Sequence, residues 1–130
     1  MLENISKNKV IKKKLYLPKF EITKFKGNTL SLTNYNQIIE SSKNIKDTIE
    51  FKTLFKNMFE KNIGFKSIID NNQLLVNYKI KLEIFEKCII KTINSLKKCV
   101  VCGSGNTFLT KVHRIVYINC DTCYSKNSVN

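Results

Sequence analysis

Four of the five cysteines in this 130-residue chain fall into two Cys-x-x-Cys pairs, Cys99-Val-Val-Cys102 and Cys120-Asp-Thr-Cys123, with seventeen residues between them. Each pair sets two sulfurs about one tight turn apart. Two such knuckles brought together supply the tetrahedral thiolate set that zinc takes, with Zn–S near ~2.3 Å. Gly103-Ser104 follows the first pair and Tyr124-Ser125 the second. These residues must let each turn close so that backbone amides face the thiolates. The competing use of paired cysteines is a disulfide, which needs an oxidising compartment. The N-terminus, Met1-Leu-Glu-Asn-Ile, lacks the apolar core of a signal peptide, so the expected location is the cytoplasm. One structural zinc on Cys99, Cys102, Cys120 and Cys123 is therefore expected. Four thiolates leave no open coordination position, so the metal is not expected to be catalytic, and His113 reads as a surface residue at a turn.

The segments between and before the knuckles must position them. Thr107–Val112 and Arg114–Asn119 alternate as two antiparallel strands around His113. The pattern from Tyr78 to Leu96 predicts a helix with Phe85, Cys88, Ile89, Thr92 and Leu96 on one face, feeding almost directly into Cys99. On that stripe Cys88 reads as a buried, inert thiol. Further upstream, Ile68-Ile69 and Leu74-Leu75-Val76 flank an Asp70-Asn71-Asn72 turn. Phe51, Leu54, Phe55, Met58 and Phe59 form one helical face between Asp47 as N-cap and Gly64 as C-cap. Aromatics at that spacing could stack on bases, but core packing is their expected use. Pro18 leads into a strand over Lys19–Phe25, Gly27-Asn28 turns it, Thr29–Thr33 returns, and Thr33 or Asn34 caps a short helix that Ser41–Asn44 ends.

The predicted class is α+β. Residues 1–18 form a basic arm around Lys12-Lys13-Lys14, residues 19–95 a small central α/β domain ending in a connecting helix, and residues 96–130 a C-terminal zinc ribbon. The arm reads equally as a solvated tail or as a segment lying on nucleic acid or a partner subunit. With 23 Lys+Arg against 10 Asp+Glu, the formal net charge is +13, and a polyanion is the natural partner. Arg114 is the sole arginine, and a Lys/Asn/Ile bias is what an A/T-rich genome imposes, so part of the charge reflects composition. Lysine acts as a point charge on phosphate, which supports RNA contact without sequence-specific readout. No apolar run approaches the ~18 residues of a membrane span. There is no Gly-rich phosphate loop, no serine elbow and no second histidine. An enzyme is not expected.

Cys99-Val-Val-Cys102-Gly-Ser-Gly-Asn-Thr107 with Arg114-Ile-Val-Tyr-Ile-Asn-Cys120-Asp-Thr-Cys123-Tyr-Ser-Lys-Asn-Ser-Val129 resembles the ribbon of the beta subunit of translation initiation factor 2. Asp70-Asn-Asn-Gln-Leu-Leu-Val76 followed by a helix into Cys99 is similar to the second half of that family's central domain. Lys19-Phe-Glu-Ile-Thr followed by Leu32-Thr-Asn-Tyr35 resembles the first half. The resemblance spans residues 16–129. It implies a member of the GTP-dependent heterotrimer that brings initiator methionyl-tRNA to the small ribosomal subunit. Partners would be the gamma subunit, initiator tRNA, the small subunit and other initiation factors, with no membrane and no small-molecule substrate. Two departures stand out. Lys46–Gly64 replaces the family's usual Pro-His-Leu-Leu-led helix, and the lysine-block extension and gamma-binding segment of eukaryotic members shrink to the run at Lys12–Lys14.

Two alternatives accompany this reading. The N-terminal module of initiation factor 5 shares both domains and promotes GTP hydrolysis by the gamma subunit. Tyr16-Leu-Pro-Lys-Phe leading to Lys26-Gly27-Asn28 is similar to it. Its activating arginine has no counterpart in residues 1–20, and its helical C-terminal domain has none after the ribbon. A generic zinc-ribbon nucleic-acid-binding protein of the transcription machinery would account for the ribbon and the charge, but not for residues 20–95.

Overall fold

Leu30 and Leu32 lie two residues apart, as do Leu74 and Val76, so strand alternation puts each pair on one face of its strand. The computed structural model describes residues 17–42 and 50–129. They form β1 (Ile22–Lys24), β2 (Thr29–Leu32), α1 (Tyr35–Ser42), α2 (Phe51–Ile63), β3 (Ile68–Asp70), β4 (Gln73–Asn77), α3 (Leu82–Lys97), β5 (Thr107–Val112), β6 (Ile115–Cys120) and β7 (Lys126–Ser128). The class is α+β, with two antiparallel sheets. The described residues divide into two units, 17–42 with 50–94, and 95–129. Lys12–Lys14 and Asp47 lie outside the described residues. No described helix is long and apolar enough to cross a membrane.

In the first unit the sheet order is β1-β2-β4-β3. Leu30 pairs with Val76 and Leu32 with Leu74, so four buried side chains lie together on one face. The opposite face is knitted by polar groups: the Ser31 hydroxyl donates to Gln73 Oε1 at 2.9 Å and the Thr29 hydroxyl to Asn77 Oδ1 at 3.0 Å. The β3–β4 turn is Asn71-Asn72 with φ of 50° and 63°, the left-handed pair a two-residue hairpin loop requires and that Asn tolerates.

Thr33 and Asn34 precede α1 as expected, but their side chains do not cap it. Asn34 Oδ1 accepts the Glu21 N–H at 3.0 Å and its amide donates to the Lys19 carbonyl at 2.9 Å. The Thr33 hydroxyl donates to the Glu21 carbonyl at 3.0 Å. Both side chains are spent on anchoring the incoming strand, because the residues before β1 have backbone groups that the short sheet edge leaves unpaired. Glu50, not Asp47, holds the N-cap position of α2, without a side-chain cap bond.

Phe51, Phe55 and Phe59 are buried on one face of α2, so this aromatic stripe is core and not a platform for bases. Phe55 meets Tyr35 edge-on at 5.5 Å, and Phe59 meets Phe85 of α3 edge-on at 5.9 Å. Each buried ring contributes roughly 1.5–3 kcal/mol from burial. Gly64 closes α2 with φ 84° and donates its N–H to the Glu60 carbonyl at 2.8 Å, the left-handed cap its position predicts.

α3 begins at Leu82, four residues later than the periodicity from Tyr78 suggests. Tyr78 stays extended after β4, its ring stacked on Phe65 with centroids 4.5 Å apart, and the first helical bonds run to the Lys81 carbonyl. Phe85, Ile89, Thr92, Ile93 and Leu96 make the buried stripe. Cys88 is half-buried, not fully buried, with its thiol 3.8 Å from the Asn62 carbonyl.

Candidate metal centre

The second unit is built around the order β5-β6-β7. Leu109 and Ile118, cross-strand partners, are buried, and Val129 joins them through its N–H bond to the Val116 carbonyl at 2.9 Å. β7 is absent from the sequence reading because Lys-Asn-Ser carries no apolar alternation; only its pairing to Tyr117–Asn119 makes it a strand. Lys126 there lies 4.7 Å from the Tyr117 ring centroid.

Each knuckle closes by the same two backbone bonds. Gly103 N–H donates to the Cys99 carbonyl at 2.9 Å and Cys99 N–H to the Ser104 carbonyl at 2.9 Å. Tyr124 N–H donates to the Cys120 carbonyl at 2.9 Å and Cys120 N–H to the Ser125 carbonyl at 3.0 Å. Both turns need a left-handed residue, supplied by Gly103 at φ 77° and Tyr124 at φ 62°. The backbone then aims its amides at sulfur, as the spacing predicts. Val101 and Cys102 N–H lie 3.3 and 3.5 Å from Cys99 Sγ, and Thr122 and Cys123 N–H lie 3.3 and 3.4 Å from Cys120 Sγ.

All four sulfurs lie within 4.8 Å of one another. The pairs Cys99–Cys123 and Cys102–Cys120 are both 3.6 Å apart. A tetrahedron with metal–sulfur bonds of ~2.3 Å has edges of ~3.8 Å, so this donor set fits one four-coordinate soft metal. No pair stands at the ~2.05 Å of a disulfide, and all four cysteines are free.

The electrostatics of the cluster favour a cation. Burial works against the Cys99 thiolate, but the Ser125 hydroxyl and the Cys102 and Val101 amides outweigh it and bring its pKa down to about 6. The Ser125 hydroxyl and amide likewise lower Cys123. At Cys102 the Ser104 amide favours the thiolate, yet burial and the neighbouring sulfurs of Cys120, Cys123 and Cys99 outweigh it and push the thiol up to about 11. Thiolates this close repel, and a bound cation removes that repulsion.

Ser125 is the site residue that cysteine spacing does not reveal. Its Oγ lies 3.2 Å from Cys99 Sγ and 3.1 Å from Cys123 Sγ, bridging the two knuckles. Ser104, at the equivalent position, instead pairs with the Thr122 hydroxyl at 2.9 Å and accepts the Asn106 N–H at 3.0 Å. The signal was present as a repeat, Cys-x-x-Cys-x-Ser, in both knuckles. His113 stays exposed at the opposite end of the β5–β6 hairpin from Cys120, as a turn residue with φ 59°.

The family model described as a domain found in initiation factors 2B and 5 matches residues 6–126. The chain belongs to this family. It is similar to the translation initiation factor 2 subunit beta of Nanoarchaeum equitans, 28% identical over 131 residues covering 99% of this chain and 87% of that protein. The subunit beta proteins of Thermofilum pendens (23% over 107 residues, 82% of this chain and 71% of that protein) and Metallosphaera sedula (28% over 103 residues, 79% and 70%) are also similar. The family match runs through the first unit and both knuckles, so the four-cysteine ribbon and the four-stranded domain are parts of one family architecture.

Proposed function

We propose that this chain works as the beta subunit of translation initiation factor 2, within the GTP-dependent complex that delivers initiator methionyl-tRNA to the small ribosomal subunit. The observation that carries this is the family match across residues 6–126, joined by relatives that bear that name along most of their length. The charge of +13 supports contact with tRNA or ribosomal RNA through phosphates. The gamma subunit, initiator tRNA, the small ribosomal subunit and other initiation factors are the partners of this reading. It places the chain in the cytoplasm and gives it no catalytic role or small-molecule substrate.

In this reading Cys99, Cys102, Cys120 and Cys123 hold one zinc, supported by the 3.6 Å sulfur spacing and the amides aimed at Cys99 and Cys120. Bound there, the ion supplies a four-way crosslink and no open position for a reacting group. The ribbon is a shaped surface, held by the knuckles and by the Thr107 hydroxyl donating to the Lys97 carbonyl.

The test is capture of the full chain by the gamma subunit charged with GTP and initiator methionyl-tRNA. Retention of a ternary complex, with GTP hydrolysis no faster than gamma alone, is expected. Capture with strongly accelerated hydrolysis would point to a factor 5 role. No capture, with binding to nucleic acid alone, would return the chain to the transcription-type ribbons.

A further inference from the structure

Continuing the β3–β4 register, in which Ile68 faces Leu75, sets Phe65 opposite Tyr78 just beyond the paired ends. On β4 the core-facing row is Leu74, Val76, then Tyr78. The first two are buried, and at Tyr78 the row leaves the core. Phe65 and Tyr78 stack on each other with centroids 4.5 Å apart and 26° between planes. Yet Phe65 stays 40% exposed and Tyr78 42%. A pair that only sealed the core would be covered; this one presents a flat aromatic step to solvent.

The surroundings are cationic. Residues 61–82 carry Lys61, Lys66, Lys79 and Lys81 against one acid, Asp70, at the far end of the hairpin. All four lysines are exposed. Lys66 is 3.9 Å from Glu60, a carboxylate already held by Lys56 at 3.0 Å. An aromatic face between point charges suits a ligand that alternates planar rings with phosphates. An acidic peptide would satisfy the lysines and leave the rings uncovered.

We infer that Phe65 and Tyr78, flanked by Lys66, Lys79 and Lys81, form a stacking site for an unpaired base of single-stranded RNA. This rests on the reading above, which sets the chain beside RNA, and deepens it by naming a surface. The base lies on the open face of the ring pair while the lysines hold the phosphates on either side. Readout is by π-stacking and charge, so it is indifferent to base identity.

The experiment uses the full chain with labelled oligouridylate and an abasic ribose-phosphate chain of equal length. The wild type should bind oligouridylate about tenfold more tightly, the usual worth of one stacked base. Tyr78→Ala should erase that preference while leaving abasic binding and its salt slope intact; Tyr78→Phe should keep it. Lys66→Gln with Lys79→Gln should lower the salt slope for both ligands. The chain has no tryptophan, so Tyr78→Trp adds a single reporter whose emission oligouridylate should quench and the abasic chain should not. Equal binding of the two ligands by the wild type overturns the stacking site, as does an equal loss for both in Tyr78→Ala. Quenching by an oligoglutamate peptide as strong as by RNA overturns it in favour of an acidic protein partner. Failure to bind either oligonucleotide at low salt overturns it together with the RNA contact of the proposed function, and the base-independent case leaves that contact standing.

Discussion

Glu60 is the residue on which the join between α2 and β3 depends, and nothing in the sequence marks it. It sits in the last turn of a lysine-rich helix, where scattered acids read as solvated surface. In the fold its side chain is 13% exposed. Its Oε2 accepts the Ser67 N–H at 2.6 Å and the Ser67 hydroxyl at 3.0 Å, while Lys56 lies 3.0 Å away. Burial alone would raise its pKa, but the Ser67 amide, Lys56 and the Ser67 hydroxyl outweigh it and hold the carboxyl below its ordinary 4.5. A carboxylate whose pKa falls on folding stabilises the native state above the unfolded pKa, and that stability is lost as pH drops through the folded one. Glu60→Gln should therefore cost about 2 kcal/mol at neutral pH, the worth of charge-assisted bonds. The gap between variant and wild type should close below pH ~4.5, the unfolded reference. Urea melts at pH 7 and pH 3 measure both; a gap of equal size at the two values would rule out the carboxylate as the cause.

The two knuckles are one element built twice, and their difference can be measured. Gly103 and Tyr124 occupy equivalent left-handed positions, at φ 77° and 62°. An L side chain there costs roughly 1–2 kcal/mol, and Gly escapes the cost. A Cβ on Gly103 would meet nothing within 4 Å, so Gly103→Ala carries only the backbone cost. Tyr124 is 84% exposed, so Tyr124→Gly forfeits little packing. Gly103→Ala should destabilise the ribbon by about 1 kcal/mol and Tyr124→Gly should stabilise it by a similar or smaller amount, because Gly also loosens the unfolded chain. Thermal melts of the metal-loaded protein decide; stabilisation by Gly103→Ala would mean the turn geometry is wrong. These turns also show what the sequence made legible. Cysteine spacing, the Gly64 cap and the Asn71-Asn72 hairpin all follow from local chemistry that few residue types can satisfy. The start of α3, the use of Asn34 and strand β7 do not, since each is decided by a partner distant in sequence: Phe65 for Tyr78, Lys19 and Glu21 for Asn34, and Tyr117–Asn119 for β7.

The two units differ in how much apolar side chain they bury, and this sets how each should respond to metal removal. The first unit encloses Leu30, Leu32, Tyr35, Ile38, Phe51, Phe55, Phe59, Leu74, Val76, Phe85, Ile89 and Ile93. The ribbon unit has Leu96, Leu109, Ile118 and Val129 beside its cysteines, too small a set to stand alone without a staple. Structural zinc in small modules contributes on the order of 10–16 kcal/mol of apparent binding energy, which in such a module is folding energy. A chelator, or Cys102→Ser, should therefore collapse the amide dispersion of residues 99–128 in a proton–nitrogen correlation spectrum. The amides of Leu32, Phe55 and Leu74 should hold their positions. Metal analysis of the untreated chain should return one zinc per molecule. Adding zinc back should restore the ribbon signals in the wild type and leave Cys102→Ser unchanged. If Leu109 and Ile118 kept native shifts without metal, hydrophobic pairing between β5 and β6 would suffice and the cysteines would need another purpose. If the first unit melted as well, its core would depend on the ribbon, and the helix α3, whose last turn already belongs to the second unit, would be the element carrying that dependence.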